Sequence, residues 1–435
     1  MSNPRPLPVA AMTAPARPAI GSTSKVIALV AATQFVSAIE FIILLPLGPD
    51  LARGLDMPTS HLGYVTSSYG IAAFGVGLVS ANLLDKFDRR TILCTSLLGL
   101  VLATALCGLA VDTISLLIAR FIAGAFAGPT AAIGLALISD LVPPERRGRA
   151  VTTVITAGSL ASIVGMPAAI WLAQLYGWRT PFLTIAVVGT ALLLLLMRTL
   201  PAMTGHLTSG AQETFASKAR MMASPVGLAA MTAMILSTAS GFLLITSLPI
   251  HLQANLHIPP TQFAWFYMAG GCSAFIVTRV SGPVIDRFGS WPVMLVSNCL
   301  FALVVWELLV DTAALLPIMV LFIGSMTANG LRNASLQTAI THIPPPSRRG
   351  AFLSVTGSMS YLGSAIGAAA SSVLLFPGIG TAVGGMDRVG WATIAITATL
   401  TPMVLLLNAL RRRESDNAVP VPSEEVLLAT PQQVD

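Results

Sequence analysis

The sequence predicts an all-α membrane protein, with twelve transmembrane helices arranged as two pseudo-symmetric six-helix bundles. Three observations predict it. The 435 residues are 54% apolar and only 10% charged, with a mean hydropathy of +0.80, whereas about a quarter of a soluble domain is charged. Apolar runs long enough to cross a bilayer recur twelve times, with charges at their edges. The second half of the chain also repeats the first. The composition excludes a soluble enzyme, a disordered regulator and a nucleic-acid binder.

At 1.5 Å per residue, about 20 residues cross the hydrocarbon. The runs fall at 26–49, 62–84, 91–111, 113–139, 150–175, 180–197, 225–250, 261–285, 291–310, 315–341, 351–376 and 389–410. They are continuous, whereas barrel strands are short and alternating. Eighteen Lys and Arg residues lie on the side of the termini, three (Arg53, Arg179, Arg388) on the other, and three within spans. Positive residues stay inside, so both termini are expected in the cytoplasm. The same asymmetry supplies the formal charge of +6.

The expected organisation is a disordered cytoplasmic tail (1–24), an N-terminal bundle (25–198), a cytoplasmic linker (199–224), a C-terminal bundle (225–411) and a second disordered tail (412–435). The first tail is rich in Pro and Ala and lacks the apolar core of a signal peptide. Cys94, Cys107, Cys272 and Cys299 lie in apolar runs without a CxxC or Cys/His cluster, which reads as packing rather than disulfide or zinc chemistry. His251 and His257 lack a third ligand. No metal site is expected.

The repeat is explicit. An offset of 201 residues aligns 41–93 with 242–294 without a gap, pairing Phe41/Phe242, Pro58/Pro259, Gly70/Gly271, Asp85/Asp286 and Phe87/Phe288. An offset of 202 pairs Pro143-Pro144-Glu145-Arg146-Arg147-Gly148 with Pro345-Pro346-Ser347-Arg348-Arg349-Gly350, and Gly165 with Gly367. Two parallel six-helix repeats place a binding site near mid-membrane between them, and rocking of the halves gives alternating access.

The loop Ala81-Asn-Leu-Leu-Asp85-Lys86-Phe-Asp88-Arg89-Arg90 resembles the GxxxDRxGRR loop of the major facilitator superfamily, and Gly282-Pro-Val-Ile-Asp286-Arg287-Phe-Gly289 matches its first part. Arg120-Phe-Ile-Ala-Gly124-Ala-Phe-Ala-Gly128 resembles that family's RxxxGxxxG helix. Gly165-Met-Pro167 and Gly177-Trp178-Arg179-Thr-Pro-Phe182 resemble the bacterial drug and sugar efflux permeases, with a GxP variant replacing the antiporter signature. The resemblance implies a monomeric secondary transporter of the bacterial inner membrane. It would export a small molecule (drug, sugar or metabolite) against protons, with the proton gradient as energy source and no cofactor. Import by the same fold and, in a different class, a non-transporting membrane sensor are the alternatives. An enzyme is not expected, since the chain has no P-loop with its lysine, HExxH pair or nucleophile elbow.

Within the spans, Glu40 and Arg120 carry charges at similar depth, roughly 15 and 12 Å below the same boundary. A carboxylate at the bilayer centre costs about 2.5–3.5 kcal/mol on insertion scales, so such groups usually serve function. Glu40 is the expected proton carrier and Arg120 the stabiliser of its ionised form; a static structural pair is the alternative. Arg332, with Asn329, Asn333 and Gln337 on or beside one helical face, would suit an anionic or hydroxyl-bearing substrate, pair with Glu40 across the cavity, or serve interhelical hydrogen bonding. Tyr69 and Trp265 offer apolar cavity surface or core packing. Arg279 and Glu307 lie near span ends and are expected to reach the headgroups.

By resemblance, Asp85, Arg89, Arg90, Gly282, Asp286 and Arg287 form gating loops, the two acids standing where they can meet a helix N-terminus. Gly124, Gly128, Gly363 and Gly367 are expected to pack helices closely. Gly165 with Pro167 is the expected hinge or kink of the fifth span.

Overall fold

The computed structural model describes residues 20–83, 87–142, 144–200, 220–311, 315–341, 343–344, 349–378 and 382–417. All twelve expected spans are helical. Span 1 is α1 (Ile20–Ile42) and α2 (Leu44–Gly54), interrupted at Ile43 because Pro46 has no N–H for the carbonyl of Ile42. Spans 2 to 4 are α3 (Leu62–Leu83), α4 (Arg89–Gly108) and α5 (Thr113–Leu141). Span 5 joins α6 (Pro144–Leu160) to α7 (Met166–Tyr176) through a π turn at Ala161–Gly165, and span 6 is α8 (Arg179–Thr199).

The second half runs α9 (Pro225–Ile250), α10 (Pro260–Phe288), α11 (Ser290–Val305), α12 (Ile318–Thr341), α13 (Arg349–Leu374) and α14 (Met386–Asn417). Among the described residues, ten spans are long and apolar enough to cross a membrane unaided. The other two are α12, which carries Arg332 and its amides, and the serine-rich α13. Such helices depend on the bundle to satisfy their polar groups.

Three details differ from expectation. The first helix already begins at Ile20 and the last continues to Asn417, inside the segments expected as tails, because the nearest helix breakers are Pro18 and Pro420. The rest of those tails, and 201–219 of the linker, lie outside the described residues. Between spans 11 and 12 a small hairpin pairs β1 (Phe376–Pro377) antiparallel with β2 (Val383–Gly384). Asn255 holds it through both backbone groups of Val383, at 2.8 and 2.9 Å.

Small residues let the helices cross closely. A Cβ on Gly124 would lie 2.2 Å from the Tyr69 carbonyl oxygen, and one on Gly367 2.2 Å from that of Ala239. Between the halves, α3 packs on α13 and α10 on span 5. The duplicated positions mark both seams: Gly70 faces Ala365, and its repeat-mate Gly271 faces Ile163, itself the counterpart of Ala365 at the 202 offset.

Candidate functional site

Glu40 stands on the last turn of α1 before the break, and Arg120 on the second turn of α5. Arg120 Nη1 donates to Glu40 Oε1 at 2.6 Å, with both side chains fully buried. The same guanidinium donates to the carbonyls of Glu40 at 3.1 Å and Phe41 at 3.3 Å, and lies 4.4 Å above the ring of Tyr69. Tyr69 stacks on Phe41 at 4.9 Å, so it belongs to this cluster. Glu40 Oε2, Arg120 Nε and the Tyr69 hydroxyl are buried without a hydrogen bond within 3.5 Å among the described residues, though the Tyr69 hydroxyl stands near enough to the Glu40 carboxyl to interact with it.

Burying two ions costs several kcal/mol each unless their geometry and remaining hydrogen bonds are good. Here one carboxylate oxygen is well bonded and the other is left over, so the cluster can keep the pair or take a proton on Oε2. Phe41 carries the cluster to the seam, where its ring lies 5.4 Å from its repeat-mate Phe242 and 5.9 Å from Tyr361. Gly165 touches the same turn: a Cβ there would lie 2.5 Å from Ile39 Cδ1. It closes the π turn, and Pro167 opens the following helix.

In the other half Arg332 is also fully buried, but it forms no ion pair among the described residues. Its guanidinium donates to Asn329 Oδ1 at 2.7 Å, Ser240 Oγ at 2.9 Å, the Ser237 carbonyl at 3.1 Å and Thr397 Oγ1 at 3.5 Å. It lies 4.3 Å over Phe301. Of the predicted amides, Asn329 joins it. Asn333 is exposed and accepts from Ser237 Oγ at 3.4 Å, and Gln337 is exposed farther along the helix. Ser237, Ser240, Thr397 and Phe301 belong to no motif, so sequence reading missed them.

The counterpart of Glu40 at the 201 offset is Gly241. A Cβ there would lie 3.2 Å from both Arg332 Nη2 and Asn329 Oδ1. Extending the aligned block by one residue, from Phe41/Phe242, would have revealed this position. Gly241, Phe301 and Asn329 also line a narrow cleft with only about 10 Å³ of space, together with Leu244, Met326 and Ser325.

The remaining predicted residues that the structure describes lie apart from both clusters. Asp85 is outside the described residues. Arg90 donates to the Met197 carbonyl, tying span 3 to the end of span 6, and Arg89 is half-buried beside it. Asp286 and Arg287 are exposed in the last turn of α10, and Gly282 has open space around it. Helix capping falls to Asp88, which accepts from the N–H groups of Arg90 and Thr91 at 3.4 and 3.3 Å. On the opposite side Asp112 caps α5, and hydrogen bonds from Ser115 hold its carboxyl below the usual range.

Glu307 corrects an expectation. Rather than reaching headgroups it is buried and accepts from the Leu315 N–H at 2.8 Å, because the π turn at Trp306–Val310 rotates it towards the following loop. Arg279 and Trp265 are exposed. Cys107 is buried and Cys94 half-buried against the core, whereas Cys272 and Cys299 are exposed, so packing accounts for the first two.

Twelve helical spans in two duplicated halves, with buried charges beside the seam, define a polytopic membrane protein of duplicated architecture. The chain belongs to the Major Facilitator Superfamily, whose sequence profile matches residues 30–368 and 230–432. It is similar to the inner membrane transport protein YdhP of Escherichia coli K12, at 27% identity over 56% of this chain and 62% of that one. It is also similar to the purine ribonucleoside efflux pump NepI of the same organism, at 26% identity over 57% and 62%. The matches thus span about three fifths of those relatives. Among solved structures, a bacterial homologue of the human lysosomal transporter Spinster, inward-facing and unoccupied, superposes with a TM-score of 0.72. It has 15% identity and covers 93% of this chain and 100% of that one, which shows the fold.

Proposed function

We propose that this chain is a proton-coupled exporter of a small organic molecule, working by alternating access in a bacterial inner membrane with both termini cytoplasmic. The observation that carries the proposal is the fully buried Glu40–Arg120 pair, with its unbonded Oε2, one residue from the seam. With Glu40 ionised, the pair ties α1 to α5. Protonation of Oε2 removes the opposite charge from Arg120, and an uncompensated buried guanidinium favours rearrangement. Because Phe41 and Gly165 connect this turn to the other half and to the π turn of span 5, a change there reaches the moving parts. The efflux naming of NepI and the bacterial sources of the relatives support direction and location.

The test uses inside-out vesicles with an acid interior, holding the wild type or Glu40→Gln. Proton release is followed while drugs, nucleosides, sugars and organic acids are added. Release with a compound in the wild type and none in Glu40→Gln is expected. Equal release from both would remove Glu40 from the coupling step.

A further inference from the structure

We propose that Tyr69 is a positioning residue for proton binding at Glu40: its hydroxyl receives the O–H of the protonated carboxyl, so that the acid can hold a proton in a fully buried site. This inference rests on the proton-coupling reading given above and names the partner which that reading needs. It also replaces the role in the cavity wall expected from the sequence. Tyr69 is fully buried, with its ring between Phe41 and Arg120, and so offers no surface to a substrate.

Donors and acceptors decide which group can serve. A guanidinium has donors only. Arg120 therefore holds the ionised carboxylate, through Oε1 at 2.6 Å, but has nothing to receive a carboxylic O–H. A proton on Oε2 turns that atom from acceptor to donor, and a buried donor is costly to leave unpaired. A tyrosine hydroxyl both donates and accepts. That of Tyr69 stands beside the Glu40 carboxyl, and both it and Oε2 are buried and unbonded among the described residues. By rotating its O–H, Tyr69 can accept from the protonated acid and donate to the ionised one.

The packing aims the hydroxyl. The ring is stacked on Phe41 at 4.9 Å and covered by the Arg120 guanidinium at 4.4 Å, while Gly124 brings α5 against the Tyr69 carbonyl. The other titratable groups around Glu40 are Cys107 of α4, whose thiol stands beside Arg120, and Tyr361 of α13, whose ring meets Phe41 at 5.9 Å. Next to them, α9 brings Phe242 to Phe41 and span 5 brings Gly165 to Ile39. The repeat supports a functional unit. The counterparts of Glu40, Tyr69 and Arg120 are Gly241, Gly270 and Phe322, so the second half lacks acid, hydroxyl and arginine together, whereas Phe41 is kept as Phe242.

The experiment is infrared difference spectroscopy of the full chain in detergent, acid minus neutral, on the wild type, Glu40→Gln, Tyr69→Phe and Tyr361→Phe. The C=O stretch of protonated Glu40 is the band that Glu40→Gln removes. Tyr69→Phe keeps the ring and takes away only the hydroxyl oxygen. The Glu40 band is expected to move to higher frequency in Tyr69→Phe, as a carboxylic acid does on losing a hydrogen bond, and to stay in place in Tyr361→Phe. With ring-deuterated tyrosine, the wild-type spectrum should also carry a tyrosine band that is lost in Glu40→Gln and kept in Tyr361→Phe.

A Glu40 band at the same frequency in Tyr69→Phe, or one moved as far in Tyr361→Phe, would overturn the proposal. Should Tyr69→Phe fail to fold, the labelled tyrosine band decides: its absence from the wild type, its persistence in Glu40→Gln or its loss in Tyr361→Phe would each overturn the role of Tyr69. The two readings fail differently. No Glu40 band at any pH would remove proton binding at Glu40 and this inference with it, whereas a Glu40 band indifferent to Tyr69→Phe would remove the tyrosine alone.

Discussion

The two halves solve one problem in opposite ways. Each buries an arginine beside the seam, but the first neutralises it with Glu40 and the second surrounds it with dipoles. Hydroxyls, an amide, a carbonyl and a ring lower the cost of a buried cation without cancelling its charge. A duplicated scaffold thus holds one arginine by an opposite charge and the other by neutral acceptors. The difference involves more than one pair of repeat-mates: Glu40 is matched by Gly241, Arg120 by Phe322 and Arg332 by Thr130.

The comparison breaks if the two arginines respond alike to removal. Arg120→Met leaves the carboxylate of Glu40 buried without its cation and is expected to cost about 3–5 kcal/mol, read as a large fall in Tm in detergent. Arg332→Met removes a charge that has no partner and leaves only neutral acceptors unbonded, for which about 1–3 kcal/mol is expected. Equal losses would mean that Arg332 has a counter-ion in the folded protein.

The crossings sharpen the same comparison, because here the halves should behave equally. Gly124→Ala forces α3 away from α5 and Gly367→Ala forces α13 away from α9, each with a Cβ only 2.2 Å from a carbonyl oxygen. Overpacking of this kind costs about 1–3 kcal/mol. Falls in Tm that differ greatly between the two would show that one half relaxes where the other cannot. A smaller effect is expected at Asn255→Ala, which releases the hairpin by removing two hydrogen bonds to Val383, along with a third to His251; Gly54, the counterpart of Asn255 at the 201 offset, has no side chain to make them. At about 0.5–1.5 kcal/mol per bond, the loss should be detected by faster proteolysis at the hairpin.

Much of this was legible in the sequence, for identifiable reasons. Span length is fixed by bilayer thickness and charge placement by topology, so twelve helices and their pairing into halves could be read directly. Glu40 and Arg120 were found because charges inside spans are rare and their depths can be counted from the boundaries. The partners of Arg332 were only half visible: Asn329 follows from helical spacing, but Ser240 and Thr397 come from other helices whose rotation no motif encodes. Gly241 escaped because a missing side chain carries no signal until its repeat-mate is aligned. The break at Ile43 and the π turns arise where proline and packing interrupt the ladder, and periodicity averages over them.

The smallest expected effect concerns another divergent pair of repeat-mates. Asp88 and Gly289 occupy equivalent places in the two loops. Gly289 has φ 86° and ψ 160°, a conformation essentially restricted to glycine, whereas Asp88 has an ordinary φ of −57° and caps α4 with its carboxylate. Glycine is an acceptable N-cap, so Asp88→Gly should cost only a few tenths of a kcal/mol, against about 1 kcal/mol for Asp88→Ala. Tm measured for both variants checks the order. An Asp88→Gly loss as large as that of Asp88→Ala would mean that the carboxylate bonds to the N–H groups of Arg90 and Thr91 matter more than capping explains. The aspartate would then have a further task in the loop that the second half, with its glycine, does not share.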